Sequence, residues 1–200
     1  MRSLMALLLI LATGCTTDTR PVGAQTGGLG SSQIRVLARF EDGFAIHGVA
    51  GDQRLLFAAQ PGPNPTVHVA SRLTGRDIGD LPPPHEGWGV PLSMKVVSYR
   101  TAGVRTRGEL LILDNRVPPA LAGAEAAKLY RYTYRSTSAR SFTAAHVATY
   151  TLPLNTRLPG SAELPDGLFY PGSFTLLPGG GAVVTDSLTG ALWVSDDLES

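Results

Sequence analysis

Cysteine is almost absent from this chain: its 200 residues include one, Cys15. The sequence after Cys15 therefore predicts no intramolecular disulfide, no cysteine zinc site and no thiol nucleophile. An excess of charge is also missing, because 17 Lys and Arg stand against 16 Asp and Glu, for a net charge of +1. Without a strong positive field, nucleic acid is not predicted as a partner, and neither is direct attraction to an anionic membrane.

Long segments without glycine or proline are scarce, since 23 Gly and 15 Pro are spread along the chain. This spacing favours many turns and an all-β fold. Helical composition is limited to ALAGAEAAK, residues 120–128, which lies in an insertion between predicted strands. A hydrophobic content of 43% is sufficient for a packed core.

The N-terminus has the features of an export signal. Residues 1–15, MRSLMALLLILATGC, contain one arginine, a short apolar core and small residues before Cys15. The apolar core is too short for a stable transmembrane helix. The segment resembles a bacterial lipoprotein signal, which predicts a lipid on Cys15 and a cell-envelope location with the lipid as the only membrane contact. An ordinary secretory signal and a secreted protein are the alternative.

The segment after Cys15 is small, polar and rich in glycine, TTDTRPVGAQTGGLGSS. Such a composition is typical of a flexible tether, so residues 16–32 are predicted to link the anchor to a folded domain at residues 33–200. The first predicted strand of that domain is Gln33 to Phe40, where apolar and polar residues alternate.

Short apolar runs separated by turn residues recur along the folded part. The clearest unit is YPGSFTLLPGGGAVVTDSLTGALWVSDD, residues 170–197, with three predicted strands. Its middle strand has counterparts in RLLFAA and ELLILD, so three units begin their middle strands at Arg54, Glu109 and Ala182. The repeat predicts about three four-stranded antiparallel blades of a β-propeller.

These motifs carry a family resemblance over most of residues 34–197. YPGSFTLLPGGGAVVTDSLTGALWV is similar to a blade of the SMP-30/gluconolactonase and NHL-type six-bladed propellers, and GELLILDN with LYRYTY is similar to Yellow/major royal jelly propellers. The gluconolactonase resemblance implies a divalent cation such as calcium, bound by Glu, Asn and Asp side chains. The matching positions hold Gly172 and His47, and Val90 to Met94 supplies no carboxylate, so no metal ligands are assigned.

The chain is short for a six-bladed ring. Three units and a first strand use nearly all of its residues, and no fourth strand follows ALWVSDD. We therefore expect the N-terminal half of a longer propeller, an incomplete six-bladed ring in which Gln33 to Phe40 seals the last blade. Open blade edges would favour self-association.

Four side chains are candidates for ligand binding. His47 is a channel ligand or base, or else a satisfied strand residue. Glu86 follows His85 in a loop beside Trp88, in a sequence that is not a zinc motif. Asp114 and Asp186 end equivalent strands, where a carboxylate accepts turn amides or faces a ligand.

A tyrosine series and one serine are the remaining candidates for a functional role. The alternating Tyr130, Tyr132 and Tyr134 form either a ligand-stacking surface or cross-strand packing. Ser173 lies in PGSFT, without the second glycine of a nucleophile elbow, and no catalytic residue is assigned. Two functions stay open: an exported propeller-like protein that binds a small molecule or protein without catalysis, and a metal-dependent gluconolactonase-like hydrolase of lactones or related esters.

Overall fold

The structure is a computed structural model, and it describes residues 46–116, 127–152, 156–157, 160 and 170–198. The signal segment with Cys15, the tether and the predicted strand Gln33 to Phe40 lie outside the described residues. Of the predicted helical stretch 120–128, the described part is Ala127 and Lys128, which belong to a strand. No helix that is long and apolar enough to cross a membrane occurs within these described ranges.

The described chain is all-β, as predicted, and its twelve strands form three antiparallel sheets. The first sheet consists of β1 Gly48–Gly51, β2 Leu55–Gln60, β3 Thr66–Ser71 and β4 Asp77–Asp80. The second consists of β5 Val90–Ala102, β6 Arg105–Asn115, β7 Ala127–Ser138 and β8 Ser141–Thr151. The third has the order β10-β11-β12-β9, with β9 Thr156–Arg157, β10 Pro171–Leu176, β11 Ala182–Asp186 and β12 Leu192–Ser195.

Two short strands were not among those predicted from the sequence. The sequence DIGD, residues 77–80, forms β4 although it has one apolar residue and no alternation. The last sheet also has a fourth strand, the two-residue β9, whose Arg157 pairs with Trp193. Both strands are too short and too polar to show a hydrophobic period, so their pairing depends on the longer neighbouring strand.

The second sheet is covered on both faces, which explains the unbroken apolar run in β6. Leu110 and Ile112 belong to a core shared with the first sheet, whereas Leu111 and Leu113 belong to a core shared with the third. Successive side chains of a strand point to opposite faces. A strand buried on both faces therefore needs apolar residues at consecutive positions rather than alternate ones.

The first strands of the three sheets are neighbours, with β5 between β1 and β10. A Cβ atom at Gly48 would lie 2.5 Å from the backbone oxygen of Leu92, so β1 requires glycine at this approach to β5. Since Gly48 begins β1 and Leu92 lies near the beginning of β5, these two strands start at the same edge of the molecule.

Asp52 joins the first two sheets through one buried carboxylate. Its Oδ1 accepts hydrogen bonds from the amides of Arg54 at 2.6 Å and Leu55 at 2.8 Å, which closes the turn after β1. Its Oδ2 accepts the hydroxyls of Thr106 and Tyr134, both at 2.8 Å. The carboxylate therefore fixes a turn of the first sheet against the face of the second.

Candidate functional site

A polar cluster lies at the edge where β5 begins and β6 ends. The loop 81–89 leads from the first sheet into β5, and Gly87 turns the chain there with a positive φ of 76°. This turn brings Glu86 to the end of β6, where Asp114, Asn115 and Arg116 follow the apolar run. Strand β7 contributes Tyr130. We call Glu86, Asp114, Asn115, Arg116 and Tyr130 the edge cluster.

Arg116 holds the edge cluster together. Its Nη1 donates to the Gly87 carbonyl at 2.8 Å and to the Tyr130 hydroxyl at 3.0 Å, and its Nη2 donates to the Glu86 carbonyl at 2.9 Å. The same Nη1 lies 3.7 Å from a carboxylate oxygen of Glu86 and 3.6 Å from Oδ2 of Asp114. One guanidinium thus offsets part of the charge of two carboxylates and holds the incoming loop in place through its bonds to the loop carbonyls.

Asp114 is fully buried, and its two oxygens differ in their surroundings. Oδ2 accepts the backbone amide of Gly89 at 2.9 Å, whereas Oδ1 is buried without a hydrogen-bond partner. Burial raises the pKa of Asp114 to about 6, and the Glu86 charge acts in the same direction, whereas the backbone amides of Gly89 and Val90 and the Arg116 guanidinium favour the charged form. The fold therefore places a costly carboxylate at this edge.

Asn115 is also fully buried, and neither its side-chain oxygen nor its side-chain nitrogen has a partner. The indole nitrogen of Trp88, in the neighbouring loop, is likewise buried without one. Buried polar groups are paired in the great majority of folded proteins, so such a concentration is unusual. Together with Oδ1 of Asp114, these atoms offer two acceptors and two donor groups that the described residues do not use.

Glu86 is the exposed end of the edge cluster, with 43% of its side chain accessible. The Tyr130 hydroxyl donates a hydrogen bond to the Glu86 carboxylate. This bond lowers the pKa of Glu86, and the Arg116 charge acts in the same direction. Burial, followed by the bond to Glu86, raises the pKa of Tyr130 above its usual range, so Tyr130 keeps its proton and Glu86 stays charged.

The three tyrosines of β7 pack inside the molecule. Tyr130, Tyr132 and Tyr134 are buried, and Trp88 packs edge-on against Tyr130 and stacks on Tyr132, with ring centroids 5.8 Å apart in both pairs. His146 of β8 contacts the rings of Tyr130 and Tyr132 from another side. These rings pack in the core next to the edge cluster and form no exposed stacking surface.

His47 and Asp186 do not join the edge cluster. His47 is exposed just before β1, and its amide donates to the Ala59 carbonyl at 3.0 Å. Because β1 and β5 start at the same edge, His47 lies on the same side of the molecule as the cluster. It belongs to the first sheet, whereas Asp186 belongs to the third.

Asp186 stabilises a turn. Its Oδ1 accepts the amides of Tyr170 at 3.2 Å and Leu188 at 2.9 Å, and its Oδ2 accepts the Thr189 hydroxyl at 2.7 Å. A carboxylate that accepts amides two residues ahead forms an Asx turn, which explains why aspartate ends this strand.

The calcium site implied by the family resemblance does not fit the positions that correspond to it. Gly172 offers no side-chain ligand, and a Cβ there would collide with the hydroxyl of Ser187. His47 is a nitrogen ligand, whereas calcium takes several oxygens. These positions therefore do not form a calcium site.

A different group of side chains could hold a metal ion. His68 Nδ1 lies 2.8 Å from Asp80 Oδ1 and 4.0 Å from Asp77 Oδ2, and its Nε2 lies 3.1 Å from Gln60 Oε1. The ligand atoms of His68, Asp77 and Asp80 lie within 4.8 Å of one another. This mixed nitrogen and oxygen set suits zinc or another transition metal better than calcium. This group could not be found from the sequence because β4, which carries both aspartates, was not predicted.

Two arginines accompany this group. Arg76 and Arg140 line the same open cavity of about 680 Å³ as His68, Asp77 and Asp80. A cation held by the carboxylates would therefore face an entrance that favours anions.

No protein-family model matches the chain, and no significant match occurs among the curated proteins.

Proposed function

We propose that this protein is an exported, lipid-anchored β-propeller-like protein that binds a small molecule at the edge cluster without catalysing a reaction. The observation that carries the proposal is the set of buried polar atoms without partners on Asp114 and Asn115. Each such atom costs about 1–3 kcal/mol of folding stability. A bound molecule that forms hydrogen bonds with these atoms removes this cost. Ligand binding therefore explains why unpaired polar atoms are present here.

The arrangement of the sheets supports a propeller. Propeller blades are four-stranded antiparallel sheets that pack mainly on their neighbours around a central channel. Here β5 lies between β1 and β10, and the second sheet shares one core with the first and another with the third. The resemblance to SMP-30/gluconolactonase, NHL and Yellow-type propellers agrees with this arrangement, and the lipoprotein-like segment ending at Cys15 supports export.

The polar atoms without hydrogen-bond partners indicate which kind of ligand fits the edge cluster. Asp114 offers an acceptor, Asn115 offers an acceptor and a donor, and the Trp88 indole offers a donor. Arg116 partly neutralises Asp114 and Glu86. Such a set fits an uncharged molecule with hydroxyl or amide groups, for which hydrogen bonds rather than net charge provide recognition.

The bonding of the edge cluster argues for binding rather than catalysis. Tyr130 donates to Glu86, and Arg116 bonds to the loop carbonyls while lying beside both carboxylates. These groups are engaged with one another and are fixed in place. Carboxylates and tyrosine can act as nucleophiles, but the raised pKa of Tyr130 keeps its hydroxyl protonated, and both carboxylates lie beside the Arg116 guanidinium, which weakens them as bases and nucleophiles.

Native mass spectrometry of the protein purified from its host membrane tests the binding function. We expect a non-covalently bound small molecule on the wild type and its loss from Asn115→Leu. The exposed Asn64 provides the matched control, so Asn64→Leu should keep the molecule. A wild-type spectrum without it, or one that Asn115→Leu leaves unchanged, would contradict the proposal.

The lipid anchor has its own test. Full-length wild-type protein should fractionate with membranes and carry a lipid mass on Cys15, whereas Cys15→Ser should be released in soluble form. Membrane association of Cys15→Ser that equals the wild type would argue against lipid anchoring.

A metal-dependent hydrolase of lactones or related esters is the second candidate, favoured by the group His68, Asp77 and Asp80. A metal there would act as a Lewis acid or activate water, and Arg76 and Arg140 would attract a carboxylate-bearing substrate. Under this function the purified protein retains stoichiometric metal and hydrolyses gluconolactone, and His68→Gln loses both. His47→Gln, at an exposed histidine outside the group, is the control. Absence of metal and of turnover would exclude this candidate.

A further inference from the structure

Three arginines form a row across the second sheet. In the register of the strands, Arg100 of β5 pairs with Arg107 of β6, and Arg107 pairs with Arg135 of β7. Residues that pair directly in an antiparallel sheet point to the same face, with Cβ atoms about 5 Å apart. The three guanidinium groups therefore emerge side by side from one face, and we call them the arginine row.

The arginine row is exposed because the second sheet is longer than its neighbours. Strands β5 and β6 have 13 and 11 residues, whereas β10 and β11 of the third sheet have 6 and 5. Arg107 lies on the same face as Leu111, four residues further along β6. The third sheet covers that face at Leu111, and the end that bears Arg100, Arg107 and Arg135 is exposed.

No acidic side chain among the described residues forms an ion pair with the arginine row. The nearest carboxylate on the same face, Glu109, is bound by Arg131 through its Nε at 3.0 Å and its Nη2 at 2.6 Å. Arg135 donates to the Thr143 hydroxyl at 3.1 Å, which leaves its charge uncompensated. Like charges that face each other across strands destabilise a sheet.

The total charge of the chain conceals this local excess. A net charge of +1 predicts no attraction to anions, yet Arg105, the first residue of β6, adds a fourth positive charge beside the row. An open cavity of about 720 Å³ lies over this face, lined by the three arginines together with Tyr99, Glu109 and Thr133. A small anion fits in this space and meets several guanidinium groups at once.

We propose that the arginine row is a binding site for phosphate groups. Guanidinium forks donate parallel hydrogen bonds to phosphate oxygens, and three forks in one row match a ligand with two or more negative charges. The phosphate belongs either to a soluble phosphorylated compound or to the headgroup of an anionic phospholipid. This site is separate from the edge cluster, because the seven residues from Arg107 to Asp114 on β6 span roughly 23 Å.

The test uses the full-length Cys15→Ser protein, which cannot carry a lipid at position 15, so that an attached lipid does not contribute to vesicle binding. Titration calorimetry with inorganic pyrophosphate measures binding to a soluble phosphate compound. Co-sedimentation with phosphatidylglycerol vesicles measures the lipid source, with phosphatidylcholine vesicles as the uncharged reference. We expect binding in at least one arm, weakened by added salt and reduced at least tenfold by Arg107→Gln. Lys95→Gln, which removes an exposed positive charge of β5 outside the arginine row, should bind like the parent.

A measurement of folding accompanies the binding experiment. Without phosphate, Arg107→Gln should melt at the same temperature as the parent or higher, because it relieves repulsion within the row, and pyrophosphate or vesicles should no longer stabilise it. Arg107→Lys keeps the charge and loses the fork, so its affinity should lie between those of the other two proteins. No binding in either arm, or equal binding by Arg107→Gln, would overturn the proposal. Asn115→Leu should bind pyrophosphate or vesicles as the parent does. Failure of the edge-cluster proposal and failure of the phosphate proposal can therefore be told apart.

Discussion

At the scale of single residues, the edge cluster works against the stability of the fold. Asp114 carries a charge that its buried surroundings disfavour, and Asn115 has buried polar atoms without partners. Most positions of a protein favour folding, and those that do not are often functional. Two neighbouring residues with this property, at the end of a strand that is otherwise apolar, mark the site better than any motif in the sequence.

The pKa of Asp114 predicts how stability depends on pH. The carboxyl has a pKa of about 6 in the fold and 3.8 as its ordinary value, so the folded state binds more protons between these values. Stability from this group is therefore complete below about pH 4 and falls as pH rises through about 6, by on the order of 1–3 kcal/mol. We expect chemical denaturation across pH 4 to 8 to show this loss in the wild type, and Asp114→Asn to lack it.

The exposed Asp196 provides a control for other groups that titrate in the same range. Asp196→Asn should reproduce the wild-type curve. A wild-type curve that matches that of Asp114→Asn over this pH range would show that the charge of Asp114 does not cost the fold free energy.

Asn115 predicts a gain in stability on substitution. Leucine has the branched shape of asparagine without its polar atoms, so Asn115→Leu should raise the free energy of unfolding of the ligand-free protein by about 1–3 kcal/mol. Urea denaturation measures this difference, and Asn64→Leu at an exposed position should change it by less than about 0.5 kcal/mol. A destabilised Asn115→Leu protein would mean that the amide has partners within the fold.

At the scale of elements, the strands that were predicted correctly are those with strong hydrophobic patterns. The middle strands RLLFAA, ELLILD and AVVTDS are confirmed as β2, β6 and β11; the ends of β2 and β11 differ by one residue, and β6 begins four residues earlier than predicted, at Arg105. Strands β4 and β9 were missed because neither has a pattern of its own, and each exists through pairing with a longer neighbour.

The candidate sites likewise contain some residues that a sequence pattern reveals and others that only the fold brings together. Glu86 and Asp114 could be selected from sequence, since one follows a histidine in a loop and the other ends a strand. Arg116, which links them, could not, because the link depends on the loop 81–89 returning to the end of β6. The pairing of His68 with Asp80 required β4 and its register, which the sequence does not reveal.

The contact of β1 with β5 gives a prediction for these elements. A Cβ at Gly48 would meet a backbone oxygen, which cannot rotate away as a side chain does. Gly48→Ala should therefore push the two strands apart and lower the free energy of unfolding by about 1–3 kcal/mol. Val49, whose side chain is 37% exposed on the same strand, provides the control Val49→Ala, with a much smaller expected change. Equal stability of Gly48→Ala and the wild type would contradict this close approach.

At the scale of the whole molecule, the second sheet organises the rest. It shares a core with each neighbouring sheet, carries the edge cluster at one end and presents the arginine row at the other. The two proposed sites therefore lie at opposite ends of one sheet. Its connection to the first sheet depends on apolar packing and on the carboxylate of Asp52.

Asp52 tests that connection. Asp52→Ala removes the carboxylate that accepts two turn amides and two hydroxyls. The buried hydroxyls of Thr106 and Tyr134 then lose their hydrogen bonds to Asp52. We expect thermal unfolding to show a loss of at least about 3 kcal/mol, because each buried donor left unpaired costs about 1–3 kcal/mol. Asp77→Ala, at an exposed residue of β4, should change stability little. A loss below about 1 kcal/mol for Asp52→Ala would show that packing alone joins the two sheets.

The most direct test of the account is a crystal structure of the full-length protein purified from its host, without added ligand. The account predicts electron density for a non-protein molecule within hydrogen-bond distance of Asp114 Oδ1 and of the Asn115 amide. Density for protein groups that pair with both side chains would contradict it, because the edge cluster would then be a satisfied part of the fold and not a ligand site.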